Sequence, residues 1–256
     1  MLLTDPQNLR YQGARLFLQF LGKDDQLGVV TFSRTASVLR PLQPFSPDLA
    51  PGITASIEQT GATGEFTDVL AGITAAKELL STSGRPSARR IIVVLSDGKM
   101  EPDPGVRSVA AALEELTERV LPELRSGETQ VYTLAFSEQA DRGLLAEISS
   151  ATDGLNWFTP NADKIHESFA SLFLVIKKPQ VLPLTSKGFR IDDEVDEATF
   201  YINREGANGE ISIISPDGDE FGPGTLPETM RWYSGTKFEV VTIESPIPGD
   251  WQVRGV

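Results

Sequence analysis

The side chains of this sequence that can do chemistry are carboxylates and hydroxyls, for it has 36 Asp and Glu, a single histidine and no cysteine. Two of these groups stand where a strand stops and a helix starts. In RRIIVVLSDGKMEPDPG (89–105) an apolar, largely β-branched run ends on Asp97, and in TGATGEFTDVL (60–70) Gly61 and Gly64 lead to Thr67 and Asp68. Hydroxyl and carboxylate oxygens suit hard cations such as Mg²⁺ or Mn²⁺. Each residue also has a plainer reading. A strand-end aspartate caps a helix or forms a turn, and a threonine in front of an apolar periodic run caps it.

Other chemistries find less support. Neither G-x-G-x-x-G nor G-x-x-x-x-G-K-[ST] occurs, which removes the usual dinucleotide and nucleotide loops. His166 lies in the last helix of the α/β part without a serine nucleophile elbow, and reads as a solvated position. The acidic runs IDDEVDE (191–197) and PDGDE (216–220) read as solvated turns, or as calcium sites that lack EF-hand spacing. Trp251 in PIPGDW is either core or a ligand-stacking ring. No catalytic residue is assigned, and the chain reads as a non-enzyme.

Charge narrows the partners. With Lys+Arg 23 against Asp+Glu 36 the net charge is -13, which repels phosphate backbones and anionic lipid, so neither nucleic acid nor membrane contact by this segment is expected. No segment reaches the roughly 18 apolar residues of a spanning helix. Absence of cysteine excludes disulfides and thiolate metal sites and leaves the compartment open.

The elements that must position Thr67 and Asp97 follow from periodicity. Helices are expected over 6–21, with Asp5 as N-cap and Pro6 at the first helical position, over 66–82, over 106–126 with a break at Pro122, over 141–154 closed by Gly154, and over 161–176. LGVVTF (27–32) and ASVLRPL (36–42) read as a hairpin across SRT, followed by two proline-rich turns. RRIIVVLS, TQVYTLAF (129–136) and LNWFTP supply further strands. Alternation of strand and helix, with unbroken apolar strands, argues for an α/β domain with a doubly wound, mostly parallel sheet. The ligand crevice of such a sheet lies beyond the carboxyl ends of its strands, which is where Asp97 falls. After KKPQVLP (177–183) the helical period vanishes, and ATFYI, EISIIS, KFEVVTI and WQVRGV read as a small, all-β sandwich. The expected boundaries are 1–178 and 184–256, the second domain being incomplete if its final strand runs on.

The order LGVVTFS, GATGEFTDVLAGI, RRIIVVLSDGKMEPD and VYTLAFSEQADRGLLAEISSATDGLNWFTPNADKIHESFASLF resembles the von Willebrand factor type A family over roughly residues 5–176. That resemblance implies a metal-ion-dependent adhesion site at the top of the sheet, built from an Asp-x-Ser-x-Ser loop, a threonine and an aspartate after a central strand. It carries the threonine role onto Thr67 and the aspartate role onto Asp97, with Ser96 and Gly98 shaping the loop. It also implies Mg²⁺ or Mn²⁺, weakly held in this chain, and a protein partner whose acidic side chain completes the metal shell.

The sequence departs from the family in lacking the Asp-x-Ser-x-Ser loop and the first strand that carries it. Met1 is therefore expected to be the internal methionine of an Asp-x-Ser-Gly-Ser-Met run whose start lies upstream. SPDGDEF and SPIPGDWQV resemble the Ig-like or jelly-roll modules that follow such domains in bacterial surface proteins, which implies a cell-envelope location and a membrane anchor in the full polypeptide. The competing interpretation is a metal-independent interaction or scaffolding domain. A more distant rival is a phosphoacceptor receiver domain, which Asp97, Met100, Pro102 and Gly105 loosely imitate without its acidic pair or its lysine.

Overall fold

In the computed structural model the described residues are 5, 7–60, 64–160, 164–181, 188–204, 209–224 and 226–255. The chain divides into two compact units, residues 1–172 and 173–256, the division falling inside the last helix of the α/β part.

The first unit begins with α1 (Leu9–Gln19). The helix starts later than its sequence suggests, because Asp5 caps it from a distance: its carboxylate accepts the N–H groups of Leu9 (2.7 Å) and Arg10 (3.0 Å) and pairs with the Arg10 guanidinium (2.9 Å). Pro6 and Met1 lie outside the described residues. β1 (Gln26–Phe32) and β2 (Ala36–Pro44) form the expected antiparallel hairpin. The proline-rich stretch that follows is not merely turns, since it contains α2 (Ala50–Gln59). Pro51 sits in the first helical turn, where its missing N–H costs nothing.

Next come α3 (Val69–Ser83) and β3 (Arg90–Ser96). The predicted long helix is divided into α4 (Val109–Glu115), a π turn (Leu116–Val120) and α5 (Leu121–Ser126), with Pro122 in the first turn of α5. A proline without an N–H breaks the i→i−4 ladder, and the wider turn ahead of it absorbs the break. β4 (Thr129–Ala135), α6 (Arg142–Ala151), β5 (Asn156–Phe158) and α7 (Ile165–Lys177) follow. β3, β4 and β5 make a parallel sheet in that order. On one core Val69, Leu70 and Ile73 of α3 join Ile92 and Val94 of β3, Leu116, Val120 and Leu124, and Ile148 of α6. Elsewhere α1 meets α7, where a Cβ on Gly13 would lie 2.5 Å from the Phe169 ring.

The second unit is all-β after its helical entry. β7 (Glu197–Asn203), β11 (Phe238–Glu244) and β10 (Met230–Ser234) form one antiparallel sheet. β6 (Phe189–Ile191), β12 (Gly249–Arg254), β8 (Ser212–Ile214) and β9 (Glu220–Phe221) form the other. Ile213, Val241, Ile243 and Trp251 fill the core between them. Trp251 is 1% exposed and its indole N–H donates to the Ile247 carbonyl at 2.9 Å, so it is a core residue and not a ligand-stacking ring. No helix among the described residues is long and apolar enough to cross a membrane.

Candidate functional site

Asp97 directly follows β3 at the carboxyl edge of the parallel sheet and is buried, 8% exposed. Its loop is fastened from the side of β4. Phe136 N–H donates to Ser96 O at 3.2 Å, Ser137 Oγ donates to Asp97 O at 2.5 Å, and Asp141 N–H donates to Gly98 O at 3.3 Å. Met100, 6% exposed, anchors the descending limb in the α3 core.

Thr67 arrives from the other side. Its N–H donates to Glu101 O at 2.8 Å and its carbonyl accepts from Glu101 N–H at 3.0 Å, a two-bond bridge between the head of α3 and the loop after β3. A Cβ on Gly98 would lie 3.3 Å from Thr67 Oγ1. The structure therefore brings the two sequence-predicted residues to one place, the Thr67 hydroxyl lying against the backbone that follows Asp97.

Thr67 does not cap α3. Asp68 does, its Oδ1 accepting from Ala71 N–H at 2.9 Å. Asp68 is 2% exposed, and its second oxygen stands 3.6 Å from Arg107 Nε. Its own N–H donates to Ser33 O at 2.9 Å, which ties the end of β1 to the same crest. The sequence reading offered the cap to Thr67, although aspartate outranks threonine as an N-cap and Asp68 stands one residue nearer the apolar run. A second arginine borders the crest: Arg34 pairs with Asp103 at 2.8 Å and lies 4.8 Å over the Phe66 ring.

Thr67 and Asp97 offer the hard oxygens that Mg²⁺ prefers, but an octahedral ion takes about six ligands. Among the described residues no group of three or more His, Cys, Asp or Glu is placed to hold a metal. The donors fit in type and fall short in number. The acidic runs 191–197 and 216–220, both among the described residues, likewise form no such group for calcium. His166 is not solvated as its sequence context suggested: it is 5% exposed, on the α7 face that also buries Phe169 and Ala170.

The sequence model of the von Willebrand factor type A domain matches residues 14–171. The chain belongs to that family. A domains are generally non-enzymatic protein-interaction modules, and many bind a divalent metal. No curated protein sequence matches the chain. Among solved structures, a von Willebrand factor type A protein from Catenulispora acidiphila is similar at 15% identity and TM-score 0.54, over 98% of this chain and 59% of that one. This chain thus spans about three fifths of that protein's length. The PilB minor pilin of Streptococcus sanguinis is similar at 13% identity and TM-score 0.53, over 67% of this chain and 54% of that one. BatB, a conserved hypothetical protein of Bacteroides thetaiotaomicron, is similar at 14% identity and TM-score 0.51, over 69% of this chain and 91% of that one. At these identities the likeness concerns the A-domain fold.

Proposed function

We propose that this A domain is a protein-binding module of a bacterial envelope protein, and that its crest at Thr67 and Asp97 meets the partner through a divalent ion. Thr67 Oγ1 and the Asp97 carboxylate each supply one ligand to Mg²⁺ or Mn²⁺. Waters, several of which Mg²⁺ keeps, supply further ligands, and one position goes to an acidic side chain of the protein partner. The observation that carries this is the approach of the Thr67 hydroxyl to within 3.3 Å of a Cβ position on Gly98, beside Asp97 at the carboxyl edge of the sheet. The envelope location is supported by the likeness to a minor pilin, and a membrane anchor elsewhere in the whole polypeptide belongs to the same proposal. The β-sandwich from about residue 184 serves as a spacer or a second binding surface.

One observation favours a metal-independent interaction domain instead. Two carboxylates near the crest are already compensated by cations, Asp68 by Arg107 and Asp103 by Arg34. Mn²⁺ titration followed by water-proton relaxation separates the two. Metal-dependent binding gives a weak saturable site whose affinity falls at least tenfold in both Thr67→Ala and Asp97→Ala and persists in Asp103→Ala. Equal uptake by all four proteins contradicts it.

A further inference from the structure

Three consecutive carbonyls of the Asp97 loop are held by one stretch of chain, residues 136–141, which follows β4. Ser96 O accepts from Phe136 N–H at 3.2 Å, Asp97 O from Ser137 Oγ at 2.5 Å, and Gly98 O from Asp141 N–H at 3.3 Å. The first and last donors are main-chain groups, which any residue but proline could supply. Only the middle one is a side chain. Ser137 is therefore the point at which residue type decides how Asp97 is held.

The Ser137 hydroxyl is fully engaged. A hydroxyl has one proton to give and two lone pairs to fill. Ser137 Oγ gives its proton to Asp97 O and accepts from Gln139 N–H and Ala140 N–H, both at 3.1 Å. The two accepted bonds are those of a local serine turn, and they fix the side chain so that its proton has one direction left. Ser137 is 4% exposed, so burial keeps bulk water from replacing the bond to Asp97.

The stretch is anchored beyond Ser137 as well. Ala140, 6% exposed, enters the same core as Met100, and both loops are thus rooted in one packed cluster. Asp141 caps α6, its carboxylate accepting from Leu144 N–H at 3.2 Å. Arg142 lies 3.8 Å over the ring of Phe158, the last residue of β5. The fastening reaches the Asp97 loop through main-chain carbonyls, so it sets where the Asp97 carboxylate points without using its oxygens.

We propose that Ser137 is the positioning residue of the crest: its hydroxyl fixes the Asp97 main chain and so aims the carboxylate, without itself touching an ion. A ligand must be held within about 0.5 Å of its productive place. Removing a group that orients a metal ligand typically costs about 10–100-fold in metal affinity. The effect on an ion rests on the crest reading above, whereas the effect on Asp97 does not.

The test compares the parent chain with Ser137→Ala, Ser137→Thr and Ser149→Ala. Ser149 is a control hydroxyl, 1% exposed, that shares a hydrogen bond with Thr133 at 2.8 Å and donates to Leu145 O at 3.1 Å. In EDTA, NMR amide exchange is read at Glu101, which donates to Thr67 O, and at Asp141, which donates to Gly98 O. Both amides should exchange at least fivefold faster in Ser137→Ala, and close to the parent rate in Ser137→Thr and Ser149→Ala. Mn²⁺ affinity, followed by water-proton relaxation, should fall about tenfold in Ser137→Ala alone, although both alanine variants should lower the thermal midpoint. Unchanged exchange in Ser137→Ala overturns the proposal, as does equal acceleration in Ser149→Ala or in Ser137→Thr, which keeps the hydroxyl. If the parent binds Mn²⁺ and Ser137→Ala binds it as tightly, the proposal fails and the crest reading stands. If the parent takes up no Mn²⁺, the crest reading fails, and the exchange rates in EDTA still decide for or against Ser137.

Discussion

Thr67 and Glu101 exchange both of their backbone hydrogen bonds, at 2.8 and 3.0 Å, and so lace the head of α3 to the loop that carries Asp97. The lacing uses main-chain atoms alone, which leaves the Thr67 hydroxyl available to the crest while the neighbouring Asp68 does the capping.

That division of labour is testable by stability. Asp68→Ala removes an N-cap and should cost about 1–2 kcal/mol in urea denaturation. Thr67→Ala keeps both bridge bonds and should change stability by well under about 1 kcal/mol. If the two substitutions cost the same, Thr67 is a structural residue and the crest loses one of its proposed ligands.

Gly154 follows α6 in the only kind of residue its place allows. A Cβ there would lie 2.0 Å from the carbonyl oxygen of Val131, a backbone atom in the middle of the sheet. Gly154→Ala must push β4 or the turn aside and should lower stability by about 1–3 kcal/mol or more. Gly72→Ala meets the Phe32 ring at 2.7 Å, where a side chain can yield, and should cost less. The order of the two thermal midpoints checks this.

Trp251 gives the second unit its largest buried side chain. Trp251→Ala should cost about 3–5 kcal/mol, measured on the unit's own unfolding transition. An unchanged transition would contradict its place in the core.

The acid limb of stability should contain a contribution from Glu123. Its carboxyl is held below the ordinary carboxylate range, chiefly by the hydrogen bond from the Lys77 ammonium and further by the charges of Lys77 and Arg119, against an opposing desolvation. A depressed carboxylate stabilises the fold above its unfolded pKa, and that contribution disappears as pH falls through the lower folded value. Lys77→Ala should therefore reduce stability near neutral pH and converge with the parent at low pH. Since the pair is exposed, added salt should shrink the difference.

Much of this was legible in the sequence where local chemistry decides. The run that stops at Asp97 announced a strand and its edge, and SRT between two β-branched runs announced the hairpin. α2 was hidden because Pro51 and Gly52 look like a turn, although a first-turn proline is compatible with a helix. His166 was misread by residue type. Its spacing of three and four to Phe169 and Ala170 placed it on a buried face, and in this helix the period outweighed polarity. The division between the β1–β2 hairpin and the β3–β4–β5 sheet depends on which non-local edges pair, and no local pattern records that.

The most direct measurement for the crest is the anomalous difference map of a crystal soaked in millimolar Mn²⁺. One peak within bonding distance of both Thr67 Oγ1 and the Asp97 carboxylate, absent from the Asp97→Ala crystal, is the expected result. No peak at that position, or a peak that survives the substitution, contradicts a metal-dependent crest.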